Sequence, residues 1–271
     1  MKSNKRSDFA DEWFEKYDEK VVKQKTERVS EDMTLKWIQI KDNDLKMQRG
    51  DYVTLSFERM DDAVKRNQIS EKLIEILDKI CIDYLLNRIL VVGLGNEEMI
   101  SDSIGPKTIA QILVSAHLFE YEEHVHPGLN NCAAIAPKVM GQTGLESARI
   151  VKGIVDFYKP QCVIVIDALA TDRFSRINRA IQVSNIGIIP GSGVGNHRLP
   201  INEESLHIPV ISIGIATVTT IGSILKEMNL EDTLENDCII TPRDMDLECR
   251  QIVSILSHAI NCFIHPAYEE L

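Results

Sequence analysis

No apolar run in the 271 residues reaches the roughly 18 that a membrane-crossing helix needs. The first residues, MKSNKRSDFADEWFEK, are charged and lack the apolar stretch of a secretory leader. The expectation is a cytoplasmic protein with no membrane partner. Positive charge is also short: 30 Lys and Arg face 41 Asp and Glu, for a net charge of −11. That sign opposes nonspecific nucleic-acid binding, which needs a basic surface to release counterions. It equally opposes docking on an anionic lipid surface. None of the six cysteines, Cys81, Cys132, Cys162, Cys238, Cys249 and Cys262, forms a CxxC pair, which argues against a disulfide framework and against a zinc site. Cys132 and Cys162 sit in apolar runs and read as small core residues. There is no GxxxxGK[ST] phosphate loop, and Gly93-Leu94-Gly95 lacks the third glycine of a dinucleotide fingerprint, because position 98 is Glu. No cofactor is expected.

What is present suits a globular enzyme: hydrophobic residues make up 44% and charged residues 26%. Residues 1–30 are polar and read as a loosely attached arm or short helix. Thr34–Ile38 and Tyr52–Leu55 have strand-like composition, with Gly50 as a turn between them. From Ser70, a plausible N-cap, Leu73, Ile74, Leu77, Ile80, Cys81, Tyr84 and Leu85 form one helical stripe. Ile89–Val92 and Val163–Ile166 are short apolar runs of the kind that make buried parallel strands. Helices are expected after Pro106 and from Thr143 to about Tyr158, where Thr143-Gly-Leu-Glu146 has capping-box spacing. Ile181–Val183 and Val210–Ile213 add strands, and a last helix starts near Thr241-Pro242 and ends before His265-Pro266. Strands alternating with helices imply an α/β fold, three-layered, with a mostly parallel sheet flanked by helices. One compact domain with an N-terminal extension is the simplest organisation.

In such a sheet, ligands bind beyond the carboxyl ends of the strands. Two strand ends carry an aspartate. One is Val92-Gly93-Leu94-Gly95-Asn96 followed by Ser101-Asp102-Ser103, the other is Val165-Ile166-Asp167. Amide hydrolysis needs a base for the water and an acid for the leaving nitrogen. Two neighbouring carboxyls resist double ionisation, so one keeps its proton near neutral pH while the other is charged. Either aspartate could instead cap a helix or turn. Pro190-Gly191-Ser192-Gly193-Val194-Gly195-Asn196-His197-Arg198 has three glycines in five residues, as either a substrate-binding loop or a flexible surface loop. His124-Val125-His126 reads as a solvated segment rather than a metal pair. Glu231-Asp232-Thr-Leu-Glu235-Asn-Asp237 reads as a solvated acidic loop.

Four motifs in order carry a family resemblance: GLGN with D-x-x-G-P (Gly93 to Pro106), KVMGQTG (Lys138 to Gly144), VIDALA (Val165 to Ala170) and PGSGVGN (Pro190 to Asn196). Together they resemble the germination protease of spore-forming bacteria. The resemblance implies a fold like that of hydrogenase maturation peptidases and an unusual aspartic-type endopeptidase that degrades small acid-soluble spore proteins. It implies Asp102 and Asp167 as the catalytic pair, and Gly95, Asn96, Gly191, Ser192, Gly193, Gly195 and Asn196 as substrate-binding residues. It further implies synthesis as a self-processed zymogen, a homotetramer and a place in the spore core. No tightly bound metal is expected, because no His/Cys/carboxylate cluster has ligand spacing.

Two stretches depart from the family pattern. Its SDTGIHPG stands here as Ser184-Asn185-Ile186-Gly187-Ile188-Ile189-Pro190-Gly191, and its PTVVDA ends here in Thr219-Thr220-Ile221. The departures at Asn185 and Thr220 keep open a noncatalytic or regulatory peptide-binding paralogue. A metal-dependent maturation-type peptidase is a further alternative, against which Ile189 stands where a family histidine would sit. The family's substrates are cut after an acidic residue followed by a hydrophobic residue and alanine. Ser7-Asp8-Phe9-Ala10 has that order, which makes residues 1–8 a candidate propeptide, cut between Asp8 and Phe9, and residues 9–271 the peptidase domain. Alternatively, Phe9 and Trp13, four residues apart, anchor an amphipathic first helix.

Overall fold

The computed structural model describes residues 7–14, 21–41, 48–84, 86–191, 198–230 and 238–270. In chain order the elements are α1 (Ala10–Trp13), β1 (Val22–Arg28), β2 (Met33–Ile40), β3 (Gly50–Phe57), α2 (Ala63–Ile80), β4 (Arg88–Gly93), α3 (Ile104–Ile109), α4 (Ala116–Tyr121), β5 (Asn131–Ile135), α5 (Met140–Thr143), α6 (Ser147–Tyr158), β6 (Cys162–Ala170), β7 (Ala180–Ser184), α7 (Glu203–Leu206), β8 (Val210–Thr220), α8 (Ile221–Glu227), β9 (Ile239–Ile240) and α9 (Met245–Ile264). One sheet runs β1-β2-β3-β7-β8-β6-β4-β5, with β9 attached to the end of β8.

The α/β class holds, and so does the parallel core: β5, β4, β6 and β8 are all parallel. Their strands are nearly continuous apolar runs because both faces are covered. The expectation of a mostly parallel sheet holds only for that half. β7 pairs antiparallel with β8 and β3, and β1 to β3 form an antiparallel meander, so the whole sheet is mixed.

The alternating side chains of the central strands feed two cores. Ile89, Val91, Ile164, Ile166, Ile211 and Ile213 face α2, α3 and α9 on one side. Leu90, Val92, Val163 and Val165 face α6 and α7 on the other. Cys132 and Cys162 are buried, as expected of core residues. The α2 stripe is real, but the helix starts at Ala63, where the Asp62 side chain accepts the Lys65 amide at 2.8 Å. Ser70 is therefore mid-helix and buried, with its hydroxyl donating to the carbonyls of Arg66 and Ile255. Similarly, Thr143 closes α5 rather than opening α6. Thr241 donates to the Thr217 carbonyl instead of capping α9.

The N-terminal segment is the largest departure. Residues 7–14 are not a loose arm: Phe9 and Ala10 have no exposed surface. Phe9 packs on Leu169, Ala180 and Ala216, with the Arg176 guanidinium 4.4 Å above its ring. Ala10 and Phe14 cover Val22, Ile38, Ile40 and Tyr52. Phe9 stands as the N-cap of the short helix α1. Among the described residues, no helix is long and apolar enough to cross a membrane.

Candidate active site

β4 ends at Gly93, and the chain turns through Leu94-Gly95-Asn96 to a short 3-10 turn, Ile100–Asp102. This turn works only because Gly95 has no side chain. Its φ is +118°, and a β-carbon there would stand 2.0 Å from the Asp102 carbonyl oxygen and 3.0 Å from its Oδ1. The glycines of GLG thus serve close approach of the Asp102 segment, in place of a phosphate. The Asn96 amide donates to Asp102 Oδ2 at 2.9 Å. The Asn96 side-chain oxygen in turn accepts the Glu98 amide and Gln142 Nε2.

Asp167 continues the stripe of Val163 and Val165 on the α6 side of the sheet. The expectation that β6 ends at Asp167 is corrected: the strand runs three residues further, with Asp167 opposite Gly214 and a register shift at Leu169/Ala170. Asp167 is 5% exposed, and its Oδ1 accepts the Ala168 amide at 3.0 Å.

Asp102 and Asp167 line one cleft of about 190 Å³, together with Asp8, Gly191, Arg198 and Thr217. Gly95 also lines it, while Asn96 stands behind Asp102 through its amide. Burial lifts the Asp102 carboxyl above its ordinary range, opposed by the Asn96 amide and by Arg198. Asp167 is lifted well above that range, first by burial and then by the Asp102 charge, with Asp8 adding to it and the Ala168 amide and Arg198 opposing. Two carboxyls lining one desolvated cleft disfavour double ionisation, and the larger lift falls on Asp167. Ser192, Gly193, Gly195 and Asn196 lie outside the described residues.

Asp8 enters the same cleft. Its amide donates to the Ala170 carbonyl at 3.0 Å, and its Oδ2 accepts the Ala170 amide at 2.9 Å. Gln182, on β7, brackets the next two residues: its Nε2 donates to the Asp8 carbonyl and its Oε1 accepts the Ala10 amide. Further along, Glu12 accepts from Arg176, Thr171 and the Asp172 amide. Thr217 on β8 and Gln182 on β7 escaped sequence reasoning, because their strands meet the site only through long-range pairing. Arg198 ends the glycine-rich segment that the sequence offered as a substrate-binding loop.

The departing residues lie elsewhere. Asn185 accepts the Asp51 amide, and Thr220 caps α8 by accepting the Ser223 amide, which an aspartate would also do. Neither these two nor Ile189 lines the cleft. His124 and His126 are exposed. One ligand-type group was missed in the sequence: His258 and Cys262 on α9 with Glu269, whose donor atoms lie within 4.8 Å of one another. None of the three lines the cleft.

The fold and the cleft define an α/β protein with a desolvated carboxyl pair at the edge of its sheet, the equipment of a hydrolase. Residues 1–229 match the family model described as germination protease. Germination protease of Caldanaerobacter subterraneus is 36% identical over 261 residues, covering 82% of this chain and 80% of that one. Its counterpart in Clostridium acetobutylicum is 33% identical over 267 residues, covering 83% and 81%. A solved [NiFe] hydrogenase maturation protease, HycI from Thermococcus kodakarensis, is similar with a TM-score of 0.39 and 15% identity, over 68% of this chain and 98% of that one. The chain belongs to the germination protease family, a family of peptidases.

Proposed function

We propose that this chain is an endopeptidase that initiates breakdown of small acid-soluble spore proteins during germination, cutting after an acidic residue with Asp102, Asp167 and one water. The observation that carries the reading is the seat of Asp8. Asp8 lines the cleft that holds both carboxyls, its backbone and carboxylate hydrogen-bonded to Ala170 and its carbonyl to Gln182, while Phe9 follows in extended conformation and Ala10 opens α1.

The chemistry follows from the two environments. Asp102, the less buried and less perturbed, is the carboxylate that takes a proton from water. The water oxygen then adds to the carbonyl carbon. Asp167, which keeps its proton, donates it to the amide nitrogen as the C–N bond breaks. The products are a free carboxyl and a free amine, and the pair has exchanged its single proton.

By the same reading the chain is a self-processed zymogen. Residues 1–8 are the propeptide, and the cut falls between Asp8 and Phe9. A homotetramer in the spore core is what the family resemblance supports. The test is intact mass and N-terminal sequencing of protein matured in spores. A mature chain beginning at Phe9 agrees with the reading, and one beginning at residue 1 or 2 contradicts self-processing.

A further inference from the structure

We infer that Gln182 is a catalytic residue: its side-chain amide holds the carbonyl that is cut and stabilises the negative charge that develops on it. The inference rests on the proposed cut between Asp8 and Phe9. Gln182 Nε2 donates to the Asp8 carbonyl oxygen at 3.1 Å, and Gln182 Oε1 accepts the Ala10 amide at 2.8 Å. A carbonyl can only accept and an amide N–H can only donate, so the two partners together allow one orientation of the Gln182 amide. The side chain thereby spans the Asp8–Phe9 bond, with its donor on the reacting carbonyl and its acceptor one residue past Phe9.

The sheet explains why this side chain is in place. Asp167 stands opposite Gly214, Gly214 opposite Gln182, and Gln182 opposite Thr54. Residues in one such row share a face. Asp167 and Gln182 stand two strands apart with Gly214 between them, and the Leu169 side chain packs over Gly214, its Cδ1 2.2 Å from where a β-carbon would stand. Thr54 extends the row, its hydroxyl donating to Asp11 at 3.4 Å. Gln182 is 7% exposed, and its backbone is paired on both sides. A donor fixed in advance in a water-poor site does not reorganise as the reaction proceeds.

In the addition step the carbonyl π pair moves onto the oxygen as the water oxygen bonds to carbon. Nε2–H strengthens its bond to that oxygen. The pair returns when the C–N bond breaks and nitrogen takes the Asp167 proton. A neutral amide suits this position, since it supplies a donor without adding a charge to the site.

The test uses the proposed mature chain, starting at Phe9, and a synthetic peptide of residues 3–16, SNKRSDFADEWFEK. Gln182→Ala is expected to lower kcat about 100-fold while KM changes less than about threefold, the pattern of a lost transition-state donor. Gln182→Glu keeps the shape and removes the donor, so it is expected to lose at least as much. Its melting temperature against wild type shows that the fold is retained should the alanine variant not fold. A kcat within about threefold of wild type, including a pure KM effect, overturns the inference and leaves the proposed function standing. A shortened wild-type chain that cuts the peptide elsewhere, or leaves it whole, overturns both.

Discussion

Asp8 and Ala170 exchange two hydrogen bonds: the Asp8 amide donates to the Ala170 carbonyl, and the Asp8 carboxylate accepts the Ala170 amide. The side chain of residue 8 thus occupies the end of β6, three residues beyond Asp167. A tethered occupant competes at about millimolar effective concentration. Deleting residues 1–8 is therefore expected to raise kcat/KM for the 3–16 peptide at least about tenfold. Equal rates for the full-length and shortened chains would show that Asp8 does not block the cleft.

Arg176 donates to Asp11 at 3.0 Å and to Glu12 at 2.6 Å, and all three side chains are largely buried. This ion cluster latches residues 9–13 to the body. Glu12→Gln is expected to cost about 1.5–3 kcal/mol, the range for a charge-assisted hydrogen bond in a buried setting. Urea unfolding reads the cost. Hydrogen exchange reads the latch, and amides of residues 9–13 that stay as protected as in wild type would count against it.

Gly95→Ala tests the turn that delivers Asp102. The new β-carbon would clash with the Asp102 backbone at a φ that non-glycine residues avoid. We expect peptide cleavage to fall at least about 100-fold, because a displacement of about 1 Å in a catalytic group has that effect. Near-normal kcat in this variant would detach Asp102 from the chemistry.

The strand cores were legible in the sequence because burial on both faces leaves continuous apolar runs, as in Ile89–Val92 and Val163–Ile166. The aspartates were legible because both follow such runs. The length of β6 was not, since Ala168-Leu169-Ala170 belongs to the strand only by pairing with residues 215–218. Helix starts at Ser70, Thr143 and Thr241 were misplaced for a related reason: each has a capping-type side chain that is satisfied elsewhere. Gln182 gave no local signal, because what places it is the order of strands. The N-terminal segment looked loose because its charges, Asp11 and Glu12, find their partner in Arg176, more than 160 residues away.

The raised carboxyl of Asp167 has a consequence for stability. A folded-state value above the unfolded one means that the folded chain binds the extra proton, so this group's contribution is full below the ordinary aspartate value of 3.8 and declines as pH rises through the folded value. Asp167→Asn cannot ionise. The variant is therefore expected to gain melting temperature relative to wild type as pH rises above 3.8, and to keep the gain at pH 8. A gap between the two chains that stays constant from pH 4 to 8, or narrows with rising pH, would contradict a proton held on Asp167.

The most direct test of the paired-acid account is the single-turnover rate of peptide 3–16 cleavage by Asp102→Asn and Asp167→Asn, in shortened chains starting at Phe9 with melting temperatures in hand. Asparagine keeps the size of aspartate but cannot exchange the proton, and both variants are expected to lose at least about 1,000-fold in rate while staying folded. Cleavage by a folded Asp167→Asn chain at close to the wild-type rate would contradict the account.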